Sequence, residues 1–332
     1  MPEYELTPCP VCGESDAEHV AGADEIREEV EALWAFHERR LAPGTPPARL
    51  ADRVAFSQRP PLNVVRCRRC GVVYRNPRER ARELRDLYEE EAPAPEVMRS
   101  LHENQRVAYR AQARRLARAL GRAGDGLEVG SYVGAFLAAA RACGWRFEGV
   151  DVNARVNAFA RARGCTVTDG DLWSVRDDRR WDAVAFWNCF DQLPDPLDAA
   201  RRARELLRDG GVLAVRVPNG ACWAALRRRL RGPAAPLARA ILAHDNLLTF
   251  PYRVGFTPGA LRMLLDRAGF TIIRTYGGPL VPVADDVTRA WAALEERALK
   301  AVIRAAALLP LPFARALAPW IECYARKVEG GR

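Results

Sequence analysis

Cys9 and Cys12 in CPVCG, and Cys67 and Cys70 in CRRCG, form two C-x-x-C-G units. Two thiolates three residues apart can grip one ion from a tight turn. The following glycine lets that turn take a positive φ, so that backbone N–H groups point at the sulfurs. Two such turns complete a tetrahedral four-thiolate shell, whose softness and geometry favour zinc. A closed shell has no open coordination position, so the expected role is structural. A redox reading is disfavoured because neither pair opens a helix after a strand. The other five cysteines, Cys143, Cys165, Cys189, Cys222 and Cys323, lie in apolar contexts and read as small core residues.

A second set of chemistry-capable residues lies where strand-like runs end. LEVGSYVGAFL (127–137) carries Glu128, Gly130, Tyr132 and Gly134; GVDVN ends in Asp151 and Val152; DGDLW holds Asp171 and Leu172; AFWN ends in Asn188. A dinucleotide site wants G-x-G-x-x-G with a pyrophosphate at the helix N-terminus. Here the glycines are spaced G-x-x-x-G, and Glu128 precedes the first by two residues, where it would repel a pyrophosphate. The arrangement suits a cationic, phosphate-free adenosine ligand such as S-adenosylmethionine (SAM). Asp151 then fits the ribose hydroxyls and Asp171 the adenine amino group. Gly130 admits the ligand to the backbone, Gly134 lets the helix pack closely, and Val152, Leu172 and Asn188 complete the set. Tyr132 stands where such loops often have glycine. Its ring is expected to wall the methionine end of the ligand, or else to pack on the cysteine-bearing segment.

These residues need a scaffold, and the periodicity supplies one. Strand-like runs at 127–130, 147–152, 165–170, 181–188 and 211–219 alternate with helical patterns at 134–143, 154–163 and 196–208. Such alternation predicts an α/β fold with a mostly parallel sheet covered on both faces, with ligands at the carboxyl ends of its strands. Between the cysteine pairs, Ile26, Val30, Leu33, Trp34, His37 and Leu41 share one face of a helix that the prolines at 43–47 end. After the second pair come a turn at Asn76–Pro77, a helix through Leu84 and Leu87, and a basic amphipathic helix over 97–121. Beyond the sheet lie an N-capped helix at 257–270, a strand, helices over 286–318 and a final antiparallel strand at 319–327.

Together LEVGSYVGAFL, GVDVN, DGDLW, WDAVAFWNCFDQLPDP and LLRDGGVLAVRVPN resemble class I SAM-dependent methyltransferases, and the whole chain is similar to members that carry an N-terminal zinc ribbon. The resemblance implies a Rossmann-like sheet with a final antiparallel strand. It places a zinc ribbon with helical insert at 1–78, a helical linker at 79–125, the SAM-binding core at 126–284, and helical lid plus last strand at 285–332. It implies methyl transfer to a small molecule, a sugar nucleotide or natural-product intermediate. Relatives often have histidine where this chain has Gln192, and glutamine can orient a substrate but cannot act as a base at neutral pH. Of the four histidines, His244 in LAHDNLLTFPYRVGFTP falls in the region that shapes the acceptor pocket in that family. It is the expected general base, with Asp245 and Tyr252 in support. No N/D-P-P-Y/F motif follows the fourth strand, which weighs against DNA and protein-glutamine acceptors.

Composition bounds the alternatives. The 332 residues are 49% hydrophobic and carry a net charge of +9. Nearly all the positive charge is arginine, densest at Arg114–Arg115, Arg201–Arg202 and Arg227–Arg229, and a GC-rich coding bias explains it as well as phosphate binding would. An RNA methyltransferase gripping its substrate with the ribbon is the first rival reading, and a non-catalytic SAM-binding scaffold the second. No apolar run spans a bilayer and no signal-peptide pattern opens the chain, so a cytoplasmic protein is expected. The apolar and basic stretch ALKAVIRAAALLPLPFARAL is expected to form a lid or homodimer contact, with peripheral membrane contact as the alternative.

Overall fold

The computed structural model describes residues 4–46, 63–80, 86, 88–89, 92–248, 250, 252–281, 287–308 and 318–328. The expected helix through Leu84 and Leu87, the residues 309–317 and Pro47 lie outside the described residues.

A seven-stranded sheet forms the centre. Its strands are β6 (Asp125–Val129), β7 (Arg146–Asp151), β8 (Val167–Asp169), β9 (Trp181–Trp187), β10 (Leu207–Pro218), β12 (Phe270–Gly278) and β13 (Trp320–Lys327), in the order β12-β13-β10-β9-β6-β7-β8. β6 through β10 run parallel to one another, and β13 inserts antiparallel between β10 and β12. The order reverses between β6 and β9, which opens a crevice at their carboxyl ends. β9 is buried on both faces, which explains why WDAVAFW reads as a continuous apolar run rather than an alternating one.

The helices follow the predicted starts closely because their caps are encoded. Asn153 accepts from Val156 N–H to open α5 (Ala154–Arg161), Asp195 accepts from Asp198 N–H to open α6 (Pro196–Leu206), and Thr257 accepts from Ala260 N–H to open α9 (Pro258–Arg267). The predicted 97–121 helix is two, α2 (Pro95–Ala108) and α3 (Arg110–Leu120), which meet at Tyr109. That ring is buried against Phe136 of α4 (Ala135–Arg141) and against Trp187. α7 (Gly220–Arg227) and α8 (Ala235–His244) follow β10, and α10 (Ala290–Leu308) precedes β13.

The N-terminal part builds a second sheet from β2 (Ala17–Ala21), β3 (Val64–Cys67) and β4 (Val73–Arg75), and β1 (Tyr4–Glu5) pairs with β5 (Arg78–Glu79). The second sheet is completed by β11 (Val254–Gly255), which pairs antiparallel with β4. The cysteine turns and the central sheet share one apolar cluster: Cys9, Val11, Cys67 and Val72 pack with Phe256, Leu261 and Leu264. Helix α1 (Ala23–Glu38) buries Ile26, Leu33, Phe36 and His37, with Val30 and Trp34 partly buried beside them.

Helix α10 buries Ala292 and Lys300 and exposes Trp291, Leu294, Val302 and Leu308. Arg40 forks onto Glu295, and Arg289 reaches the Leu41 carbonyl, which ties α10 to the insert. No described helix is long and apolar enough to cross a membrane. The dense arginine spots are partly spent on ion pairs within the fold: Arg115 pairs with Glu322, Arg202 with the exposed Asp177 and Glu205, and Arg227 with Glu29.

Candidate active site and metal centre

The four predicted metal ligands converge. The sulfurs of Cys9, Cys12, Cys67 and Cys70 all lie within 4.8 Å of one another, with 3.5 Å between Cys9 and Cys70 and between Cys12 and Cys67. Metal–sulfur bonds of about 2.3 Å in a tetrahedron put the sulfurs about 3.8 Å apart, so the set fits a four-thiolate ion. Gly13 and Gly71 have φ of 78° and 73°, and a Cβ on either would meet nothing within 4 Å. Glycine is therefore required there by backbone conformation, not by space.

At the crevice, Gly130 takes φ 70°, and a Cβ there would stand 2.9 Å from Cys189 Sγ at the end of β9. Gly134, at φ 69°, would strike Ala160 and Cys165 at 3.0 Å, so its bareness lets α4 and α5 close. Tyr132 adopts the left-handed φ of 46°. Its N–H donates to Asp151 Oδ2 at 2.9 Å, and Asn153 N–H donates to Oδ1 at 3.0 Å. The Tyr132 ring packs against the cluster that contains Val97, Met98 and Leu101 of α2. That is the linker side, not the side of the cysteine turns. The loop is further held by His102, whose Nδ1 lies 2.8 Å from the Val133 carbonyl.

The carboxyls gather around Cys189. Burial raises its thiol, and Asp191, Glu128 and Asp151 raise it further. Glu128 is 3% exposed and its Oε2 has no hydrogen-bond partner; Asp191 is 0% exposed and neither oxygen has one. Burial holds both carboxyls well above the ordinary range, and Asp151 adds to the shift at Glu128. Three buried carboxyl oxygens without a hydrogen-bond partner, one on Glu128 and two on Asp191, with Asp151 nearby, constitute a site short of positive charge.

Asp171 caps a short 3-10 turn, its Oδ1 accepting from Trp173 and Ser174 N–H. Leu172 is buried in the core and Val152 is half-buried. Asn188, at φ 64°, accepts from Arg216 at 2.5 Å and donates to the Tyr109 hydroxyl at 3.1 Å. Both ends of the Gln192 amide are engaged: Nε2 donates to the Asn188 carbonyl at 2.8 Å, and Oε1 accepts from the Tyr88 hydroxyl at 2.5 Å. The Tyr252 hydroxyl bonds Asn246, and Asp191 is the first charge felt by both Tyr88 and Tyr252. Gln192 and Tyr88 thus meet in the turn after β9, and Asp191 acts on both Tyr88 and Tyr252.

His244 is not brought there. Its ring is buried beneath α1, edge-on to Phe36 at 5.1 Å and to His37 at 6.5 Å, with Glu295 and Glu296 of α10 at 3.9 and 3.8 Å. Among the described residues it touches none of the strand-end carboxyls. Burial pushes it down to about 4, against a pull from Glu296. The placement lends the general-base expectation no support: the side chain lies at the end of α8 among residues of α1 and α10. Asp245 is likewise spoken for, accepting from Leu280 N–H at 2.6 Å. Sequence reasoning missed Tyr88, Asp191 and the buried Arg75 and Arg253. Asp191 had a signal, being the only acid between Asn188 and the proline turn at 194.

A family model described as a methyltransferase domain matches residues 101–275, more than half of the chain. No curated protein matches it. Among solved structures, a SAM-dependent methyltransferase of Thermotoga maritima is 17% identical over 68% of this chain and 91% of its own, with a TM-score of 0.44. The Burkholderia thailandensis 1,6-didemethyltoxoflavin-N1-methyltransferase is 18% identical over 81% of this chain and 96% of its own, with a TM-score of 0.46. At these identities the likeness is one of fold alone.

Proposed function

The chain belongs to the methyltransferase-domain family, and we propose on that premise that the crevice takes SAM and that the acceptor is a small molecule, a sugar nucleotide or natural-product intermediate. The observation that carries this reading is the group of carboxyls around Cys189. With Glu128 Oε2 and both Asp191 oxygens buried without hydrogen-bond partners, the site calls for a cationic ligand, and SAM brings an ammonium and a sulfonium without a phosphate. When bound, it supplies a methyl group activated for displacement.

The chain's own residues then have these parts. Asp151 already accepts two backbone N–H groups, yet each oxygen keeps a lone pair for a ribose hydroxyl. Glu128 offsets ligand charge. Gly130 lets the backbone approach, and Tyr132 closes the loop from the linker side. Asp171 and Val152 serve the adenine end, with Leu172 packed beneath them. Gln192 holds the Tyr88 hydroxyl in place, and Tyr88 and Tyr252 flank the acceptor. Asp191, whose carboxyl burial holds well above the ordinary range, is the group that takes the acceptor's proton, because a neighbouring positive charge lowers a buried carboxyl into its ionised form. Positioning and exclusion of water supply the remainder. Cys9, Cys12, Cys67 and Cys70 hold a structural zinc.

The test is calorimetry of SAM binding at pH 7 in buffers of different ionisation enthalpy. Binding should release protons as the raised carboxyls of Glu128 and Asp191 ionise, and the release should be smaller by the Asp191 share in Asp191→Asn. SAM binding without proton release retires Asp191 as the base; no SAM binding retires the function.

A further inference from the structure

Pairing of β11 with β4 does more than join two sheets. Arg75 N–H donates to the Arg253 carbonyl at 3.1 Å, so the two residues sit side by side at the seam. Their side chains are buried, Arg75 at 4% and Arg253 at 3% exposure. Among the described residues Arg253 has one carboxylate within ion-pair reach, Glu79 at 4.0 Å, and the same carboxylate stands 3.7 Å from Arg75. Glu79 is thus shared between the two guanidiniums, and neither of its contacts is at hydrogen-bonding distance. Arg253 spends Nη2 on the Glu79 carbonyl, while its Nε and Nη1 are buried without partners. Glu5, the next acid that Arg253 feels, is engaged by Arg78 at 3.0 Å.

We propose that Arg253, with Arg75 beside it, binds an oxyanion of the acceptor, a phosphoryl or carboxylate group, and so selects anionic small molecules for methylation. The inference rests on the methyltransferase reading given above. A buried guanidinium with two unsatisfied N–H donors is costly to keep unless a ligand satisfies it, and its planar fork matches the two oxygens of such a group. The place is right as well. Tyr88 feels Asp191, Arg75 and Arg253 together, and it hydrogen-bonds Gln192 at the end of β9. Asp191 and the two arginines thus act on one tyrosine, which puts the guanidiniums in the neighbourhood where the proposed acceptor binds. Burial and the neighbouring Arg78 and Arg75 bring Arg253 down to about 10, which leaves it charged at neutral pH. On this account the cysteine-bearing segment contributes to specificity, since β4 carries Arg75.

The experiment titrates inorganic phosphate, inorganic pyrophosphate and succinate by calorimetry into the full chain saturated with S-adenosylhomocysteine, for wild type, Arg253→Met and Arg253→Lys. Saturable binding of at least one probe is expected, weakened about tenfold or more in Arg253→Met and less in Arg253→Lys. S-adenosylhomocysteine affinity should stay within about threefold of wild type. Pyrophosphate preferred over succinate identifies a phosphorylated acceptor, and the reverse a carboxylate. The proposal is overturned if no probe binds saturably to wild type, or if neither variant weakens the binding. A chain that does not bind S-adenosylhomocysteine sinks the cofactor reading instead. The same titrations on the chain alone then decide the anion site. Arg253→Lys, which keeps the charge, carries the test if Arg253→Met does not fold.

Discussion

The backbone N–H of Tyr132 donates to Oδ2 of Asp151 across 2.9 Å, which locks the first loop of the crevice to the end of the second strand. The bond holds Tyr132 in the left-handed region at φ 46°, where glycine would sit without strain. Tyr132→Gly should therefore fold at least as well as wild type, and any loss reports on the ring. If the ring walls the sulfonium, SAM affinity falls between about twofold and thirtyfold, and S-adenosylhomocysteine affinity falls less. Equal affinities for both ligands before and after substitution would remove the ring from the site.

Gly130→Ala tests the close approach of β6 and β9. The new Cβ meets Cys189 Sγ at 2.9 Å in a backbone at φ 70°. Strain of this kind costs about 1–3 kcal/mol, read as a lowered denaturation midpoint. Adding Cys189→Ala should return only part of it, because the φ remains. Full recovery would show that the clash alone mattered.

Metal content gives a third check. Purified protein should carry one zinc per chain, and Cys67→Ser should lose it. Cys9, Val11, Cys67 and Val72 share their cluster with Phe256 and Leu261, and Arg267 Nη1 donates to the Val11 carbonyl. Chelation should therefore lower the melting temperature of the whole chain, not only of its first residues. An unchanged melting curve after verified zinc removal contradicts this coupling.

His244 predicts a pH dependence. In the fold it titrates at about 4, below the ordinary histidine value of 6.5, because burial disfavours its charged form. Its contribution is full above pH 6.5 and is lost as pH falls towards 4. Asp245, raised to about 6 by burial, acts in the opposite direction: its contribution grows as pH falls from about 6 to 3.8. Between pH 7 and pH 5, wild type should thus lose about 2 kcal/mol more than His244→Leu, in which Asp245 is unchanged. Denaturant titrations at the two pH values measure it, and equal losses would contradict the burial argument. SAM affinity of His244→Leu should remain within about threefold of wild type.

Much of the fold was legible because its signals are local. Thr257, Asn153 and Asp195 cap helices where a capping residue stands before a periodic run, and the paired C-x-x-C-G units bring their sulfurs together. What escaped is non-local. β11 is two residues long, too short for any period, yet it completes the second sheet. The polar and aromatic neighbourhood of His244 reads the same whether its ring faces a ligand or the underside of α1. Only packing against Phe36 and Glu296 decides. Arg75, Tyr88, Asp191 and Arg253 come from four separate segments, and nothing in their spacing announces that they meet.

Most directly, the account is tested by calorimetric titration of wild type and Glu128→Gln with SAM and with NAD. Saturable SAM binding, no heat from NAD, and SAM affinity reduced about tenfold or more in Glu128→Gln are the predicted results. Tight NAD binding without SAM binding would contradict the claim that the carboxyls around Cys189 await a cation.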